Sequence, residues 1–211
     1  MLLLSYLNNP LEFIFLLIAL IVAITFHEFA HAAAAVFLGD ITPKLEGRLS
    51  LNPLKHLDPY GTLILVMTGF IGFGKPVPFN PHFVKHGKWG TAMVGIVGPL
   101  TNFFIAFIFI LFAKTVTVPL ISLQIFEKII SINVLLGVFN LIPIPPLDGS
   151  RLLQAVLPES QQGLINTLEK NNLGIKIIFT IVIIDVFFLN SFILSKTLLP
   201  MYEFVLKILN F

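Results

Sequence analysis

Apolar side chains run almost unbroken from Leu11 to Leu38, again over 92–113, 129–144 and 176–195, and in a shorter piece at 61–73. The longer runs approach or exceed the roughly 20 residues an α-helix needs to cross the hydrocarbon of a bilayer. The pattern therefore predicts an all-α polytopic membrane protein with about four transmembrane helices. The piece at 61–73 is too short for a full crossing, and basic residues flank both its ends. It predicts a re-entrant or interfacial segment, with a short tilted span as the alternative. Next comes Gly74-Lys75-Pro76-Val77-Pro78-Phe79-Asn80-Pro81, whose prolines forbid a helix and favour extended or edge-strand backbone. A small extended or β-hairpin element is expected there, either a rigid loop or an edge able to pair with another extended peptide.

The polar positions between the runs fix the topology. Lys44, Arg48, Lys55, Lys75, Lys85 and Lys88 fall between the first two full spans, and Arg151, Lys170 and Lys176 between the third and fourth. Lys114, Lys128, Lys196 and Lys207 fall on the other side, so the richer side is predicted to be cytoplasmic, with the N-terminus outside. The tail from Lys196 to Phe211 is amphipathic and is expected at the membrane interface. The N-terminal Met-Leu-Leu-Leu-Ser-Tyr-Leu has no basic region or small-residue cleavage site, and reads as the lead-in to a retained helix. A single membrane-embedded domain over 1–211 is expected, with a core at about 11–155 and C-terminal helices over 176–211.

Composition narrows the chemistry. The chain is 56% hydrophobic and 11% charged, and its net charge of +2 gives no reason to expect nucleic acid as a partner. It has no cysteine, which excludes disulfides and thiolate metal sites and leaves His, Asp or Glu to hold any metal.

Within the first apolar run stands His27-Glu28-Phe29-Ala30-His31. On a helix this spacing puts two imidazoles on one face, able to reach one zinc ion, with the intervening glutamate placed to take a proton from water. In hydrocarbon such a cluster is costly unless something coordinates or pairs it. A catalytic zinc needs a third ligand, and Asp148 is the best candidate. Pro143, Pro145 and Pro146 break the third span just before it, and irregular backbone at membrane depth is tolerated where it lines a cavity. The competing role for Asp148 is the N-cap of a short helix over 149–157. His82 and His86 share the spacing but lie in a polar, lysine-rich loop; His56 reads as interfacial; Asp185, inside the last span, is a candidate supporting group.

The helix motif His27-Glu28-x-x-His31 is joined to Asn140-x-x-Pro143-x-Pro145-x-x-Asp148-Gly149 on a later span, with Gly98-Pro99-x-x-Asn102 between them. Together these resemble the site-2 protease family of intramembrane zinc metallopeptidases (peptidase family M50), in its compact bacterial and archaeal branch without PDZ or CBS domains. The stretches Gly47-Arg48 to Asn52-Pro53, His56-Leu57-Asp58-Pro59 and Lys75-Pro76-Val77-Pro78-x-Asn80-Pro81 resemble it too. The match covers about residues 20–155.

The resemblance implies hydrolysis of peptide bonds within or next to transmembrane segments of membrane-protein substrates, for regulated proteolysis or clearance of signal-peptide remnants. It implies one Zn2+ per chain held by His27, His31 and Asp148, with Glu28 as catalytic acid/base. Asn140, and with it Asn102, becomes a candidate for holding substrate or oxyanion, and Thr25, Asn102 and Asn140 for lining a water route. The expected setting is a prokaryotic cell membrane with the site towards the cytoplasmic side; the partners are transmembrane substrates, the lipid bilayer and an upstream site-1-type protease. The competing classes are a membrane zinc transporter and an inactive, protease-like adaptor.

Overall fold

The computed structural model describes residues 9–59, 61, 74–117, 119–170, 173–189 and 192–209. Helix α1 spans Pro10–Phe37, with Asn9 accepting the Glu12 N–H at its start and Pro10 in the first turn, where a missing donor costs nothing. The loop after it carries the short α2 (Thr42–Leu45) and a 3-10 turn at Pro53–Lys55. Then come α3 (Gly87–Thr115), α4 (Leu120–Asn140), α5 (Gly149–Val156), α6 (Gln162–Glu169), α7 (Leu173–Phe188) and α8 (Phe192–Ile208).

Three of these, α1, α3 and α4, are long and apolar enough to cross a membrane, and each packs against the other two. Lipid offers apolar surfaces as good as any helix, so helices associate there by close packing. Ala19, Ala23, Ala32 and Ala35 of α1 and Ala106 of α3 are accordingly all 0% exposed. Leu16, Leu20 and Ile24 of α1 pack with Ile132 and Leu136 of α4, while Ala106 and Ile110 of α3 meet Ile130, Val134 and Val138.

The protein is therefore an all-α, multi-pass membrane protein, and it departs from the sequence expectation in four places. The third span begins nine residues before 129: α4 starts at Leu120 because its charged first half lies at the periphery, where Lys128 pairs with Glu12 at 3.2 Å. The predicted helix over 176–195 divides into α7, which at 16 residues is shorter than a full crossing, and the start of α8. The amphipathic tail, expected at the interface, also forms part of the helical packing. Leu198, Tyr202, Val205 and Leu206 of α8 join the α3–α4 core, and the Tyr202 hydroxyl reaches Ser131 Oγ at 3.1 Å. Finally, among the described residues the expected hairpin reduces to one antiparallel bridge, Leu57 to Gly74, followed by an extended strap over 75–80. The apolar piece at 61–73 lies, beyond Gly61, outside the described residues.

Candidate metal centre

Four residues apart on α1, His27 and His31 face inward, 5% and 7% exposed, and their Nε2 atoms stand 3.0 Å apart. Each Nδ1 meets a carbonyl oxygen, that of Asn102 at 2.6 Å for His27 and that of Val94 at 2.7 Å for His31. A carbonyl can only accept, so in the neutral rings both Nδ1 carry the hydrogen and both Nε2 present a lone pair.

The third group arrives from elsewhere in the chain. Beyond Asn140 the three prolines prevent α4 from continuing, and the chain turns through 141–148 to bring Asp148 to the start of α5. Asp148 occupies the N-cap position, yet its side chain makes no capping bond. Its Oδ2 lies 3.1 Å from His27 Nε2 and 3.3 Å from His31 Nε2, buried and, among the described residues, without a hydrogen bond of its own. Two imidazole lone pairs and an orphaned carboxylate oxygen, with no hydrogen to share, form a set of donors that a cation completes. Two nitrogens and one oxygen suit zinc and leave its fourth position open. Among the described residues, this is the one group of three or more His, Asp or Glu that could hold a metal ion.

Helix α3 forms the floor. A Cβ at Gly98 would stand 2.4 Å from His31 Nε2 and 2.8 Å from His27 Cε1, so only glycine lets α3 approach this closely.

Glu28 points to the strap, where its Oε2 accepts the Val77 N–H at 3.1 Å. The strap is tied down along its length. Lys75 N–H donates to His56 O at 2.7 Å; the buried Arg48 donates to the carbonyls of Pro76, at 3.0 Å, and of Lys75. Asn80 N–H donates to Asp40 at 2.6 Å. Burial alone would raise the Asp40 carboxyl, but bonds from the Thr42 hydroxyl, Asn80 N–H and Thr42 N–H hold it below its ordinary value. From α5, one turn after Asp148, Arg151 lies 5.7 Å over the Phe79 ring and pairs with Glu169 at 3.0 Å.

Other residues singled out in the sequence fall elsewhere. Asn102 is 0% exposed and fully engaged: beyond His27, its amide N–H groups go to Ala23 O at 3.1 Å and Asn133 Oδ1 at 2.9 Å. No donor is left on it for an oxyanion. Asn140 gives one N–H to Leu136 O at 3.0 Å. Thr25 is buried, and its hydroxyl has no partner among the described residues. His56, expected at the interface, is 0% exposed and bonds Ser50 O at 2.6 Å; it is a buried strut of the loop. Asp185 is 0% exposed, and neither it nor the His82–His86 pair joins the cluster. Sequence reasoning missed Asn133 and Asp40, and took Arg48 for a loop charge within a family-like stretch without reading its role. The cost of an amide inside an apolar helix could have flagged Asn133; nothing local marks Asp40.

The model of peptidase family M50 matches residues 114–184, which include Asn140 and Asp148. "Putative zinc metalloprotease YwhC" of Bacillus subtilis is 41% identical over 72% of this chain and 74% of its own length. The chain belongs to peptidase family M50. It is thus a zinc metalloprotease, and the donor set above agrees with that chemistry. "Zinc metalloprotease MJ0392" of Methanocaldococcus jannaschii is 27% identical over 81% of this chain but only 42% of its own length. "Putative zinc metalloprotease Rip2" of Mycolicibacterium smegmatis is 31% identical over 72% of the chain and 61% of its own length. No solved structure matches.

Proposed function

We propose that this M50 protease is an intramembrane endopeptidase, cutting peptide bonds within or next to transmembrane segments of membrane-protein substrates. The observation that carries this reading is the place of the donor set. His27 and His31 lie on a membrane-length helix, about 9–15 Å from its Phe37 end at 1.5 Å per residue. A substrate must therefore meet the site at or below the lipid surface. The excess of basic residues in the α1–α3 loop and around α5–α6 favours a site on the cytoplasmic side.

His27, His31 and Asp148 would hold zinc, which when bound supplies Lewis acidity and brings the pKa of a water it holds down to about 7. Glu28, beside the first ligand, accepts the proton as water attacks the scissile carbonyl and returns it to the leaving amine. The Val77 N–H fixes one oxygen of Glu28 and leaves the other for this transfer. Asn140 keeps amide capacity after its bond to Leu136 and is the candidate donor to substrate or oxyanion. Asn102, with no hydrogen to spare, orients His27 instead. The strap at 75–80 is the candidate edge on which a substrate segment, locally unwound, is held extended. Glycine or proline in the substrate would ease that unwinding.

The test is cleavage of a tagged single-span substrate in proteoliposomes. Wild type should cut it and a metal chelator should stop it. Glu28→Gln should keep its zinc and lose about 10²–10⁴-fold in rate. Full turnover by Glu28→Gln would refute the role of Glu28, and cleavage confined to soluble peptides would refute the intramembrane reading.

A further inference from the structure

A buried amide on α4 continues the hydrogen-bond chain that begins at His27. Asn133 is 0% exposed, and its Oδ1 accepts from Asn102 Nδ2 at 2.9 Å while its own Nδ2 donates to Ile129 O at 2.9 Å. The direction of every bond in this chain is determined. Ile129 O can only accept, so the nitrogen of Asn133 must face it and the oxygen must face Asn102. That oxygen, with Ala23 O at 3.1 Å, in turn requires the nitrogen of Asn102, so the oxygen of Asn102 must face His27. The His27 Nδ1 must then carry the hydrogen, at 2.6 Å from Asn102 Oδ1, and Nε2 keeps its lone pair towards His31 and Asp148.

From this chain we infer that Asn133 is a positioning residue of the metal centre, locking the Asn102 amide and through it the tautomer and orientation of His27. The inference rests on the reading of His27 as a metal ligand. Without Asn133, an Asn102 N–H is buried unpaired, and Ala23 O alone opposes a flip of the amide. A flipped Asn102 offers a donor to His27, which favours the tautomer with the hydrogen on Nε2, where the metal must sit. The chain also joins α4 to α3 and α3 to α1, so one amide holds the relation of three helices to one ligand.

The experiment is zinc affinity by chelator competition on the full-length protein in detergent, with the absorption spectrum of the Co2+-loaded form as a second readout. Supporting partners of metal-binding histidines are worth about 10–100-fold in affinity. Asn102→Ala should lose that much, and Asn133→Leu and Asn133→Ala about tenfold each, with a changed Co2+ spectrum. Asn133→Asp, a buried neutral acid that keeps one donor and one acceptor, should stay close to wild type. In the Asn102→Ala background, Asn133→Leu should add nothing.

A purely packing role predicts instead that affinity follows side-chain size, with Leu, similarly branched though larger, nearly silent and Ala the worst. Wild-type affinity in Asn133→Leu, or in a folded Asn133→Ala should Leu not fold, overturns the inference. So does a further tenfold loss on top of Asn102→Ala. Absence of zinc from the wild type overturns the ligand reading beneath it, and is told apart by that control.

Discussion

At the scale of single residues, the site is a problem of unpaired electron pairs. Each Nδ1 of His27 and His31 is spent on a carbonyl, Asp148 Oδ2 has no hydrogen to accept, and three donors are left looking at one point. Gly98 keeps that point open. Gly98→Ala should leave the helices assembled and bound zinc well below wild type, because its Cβ would sit 2.4 Å from His31 Nε2. Zinc analysis beside a thermal melt checks this; full occupancy would show that α3 can retreat. The motif made His27, Glu28 and His31 legible at once, and the proline break gave Asp148. What joins them was not legible. Asn102 meets His27 across 75 residues and Val94 meets His31 across 63, and no local pattern encodes such pairings. Asn102 itself was visible as a polar residue, but its duty depends on which partners use up its amide, and only packing decides that.

At the scale of elements, the strap over 75–80 shows how loop residues support a site that helices build. Its prolines announced extended backbone, and that is what forms. Its anchors, Arg48 and Asp40, looked like ordinary loop charges until the fold brought them to the strap's main chain. Arg48→Gln should retain zinc but loosen the strap, costing about 1–3 kcal/mol for the lost charged bonds and speeding proteolysis within 75–80. An unchanged digestion pattern would argue against the clamp.

Asp40 carries a pH signature. Its carboxyl is held below its ordinary value in the folded protein, so its stabilisation is complete above the unfolded pKa. It is lost as pH falls through the lower, folded value. The melting-temperature gap between wild type and Asp40→Ala should stay constant from pH 7 to about 5, and close only below about 4. A gap that closes near neutrality would exclude this role.

At the scale of the whole molecule, hydropathy gave the architecture. Three of the four spans that the apolar runs foretold form a core of membrane-length helices, and periodicity alone could not say that α8 would dock on that core. Residues of α1 and of the start of α5, separated by more than a hundred positions, converge on one set of metal donors. Measuring zinc per chain in the purified protein and in Asp148→Ala, matched for folding, tests this most directly. About one zinc is expected in the wild type and little in the variant, since a catalytic site relies on three protein ligands. A variant that keeps its full zinc would contradict it.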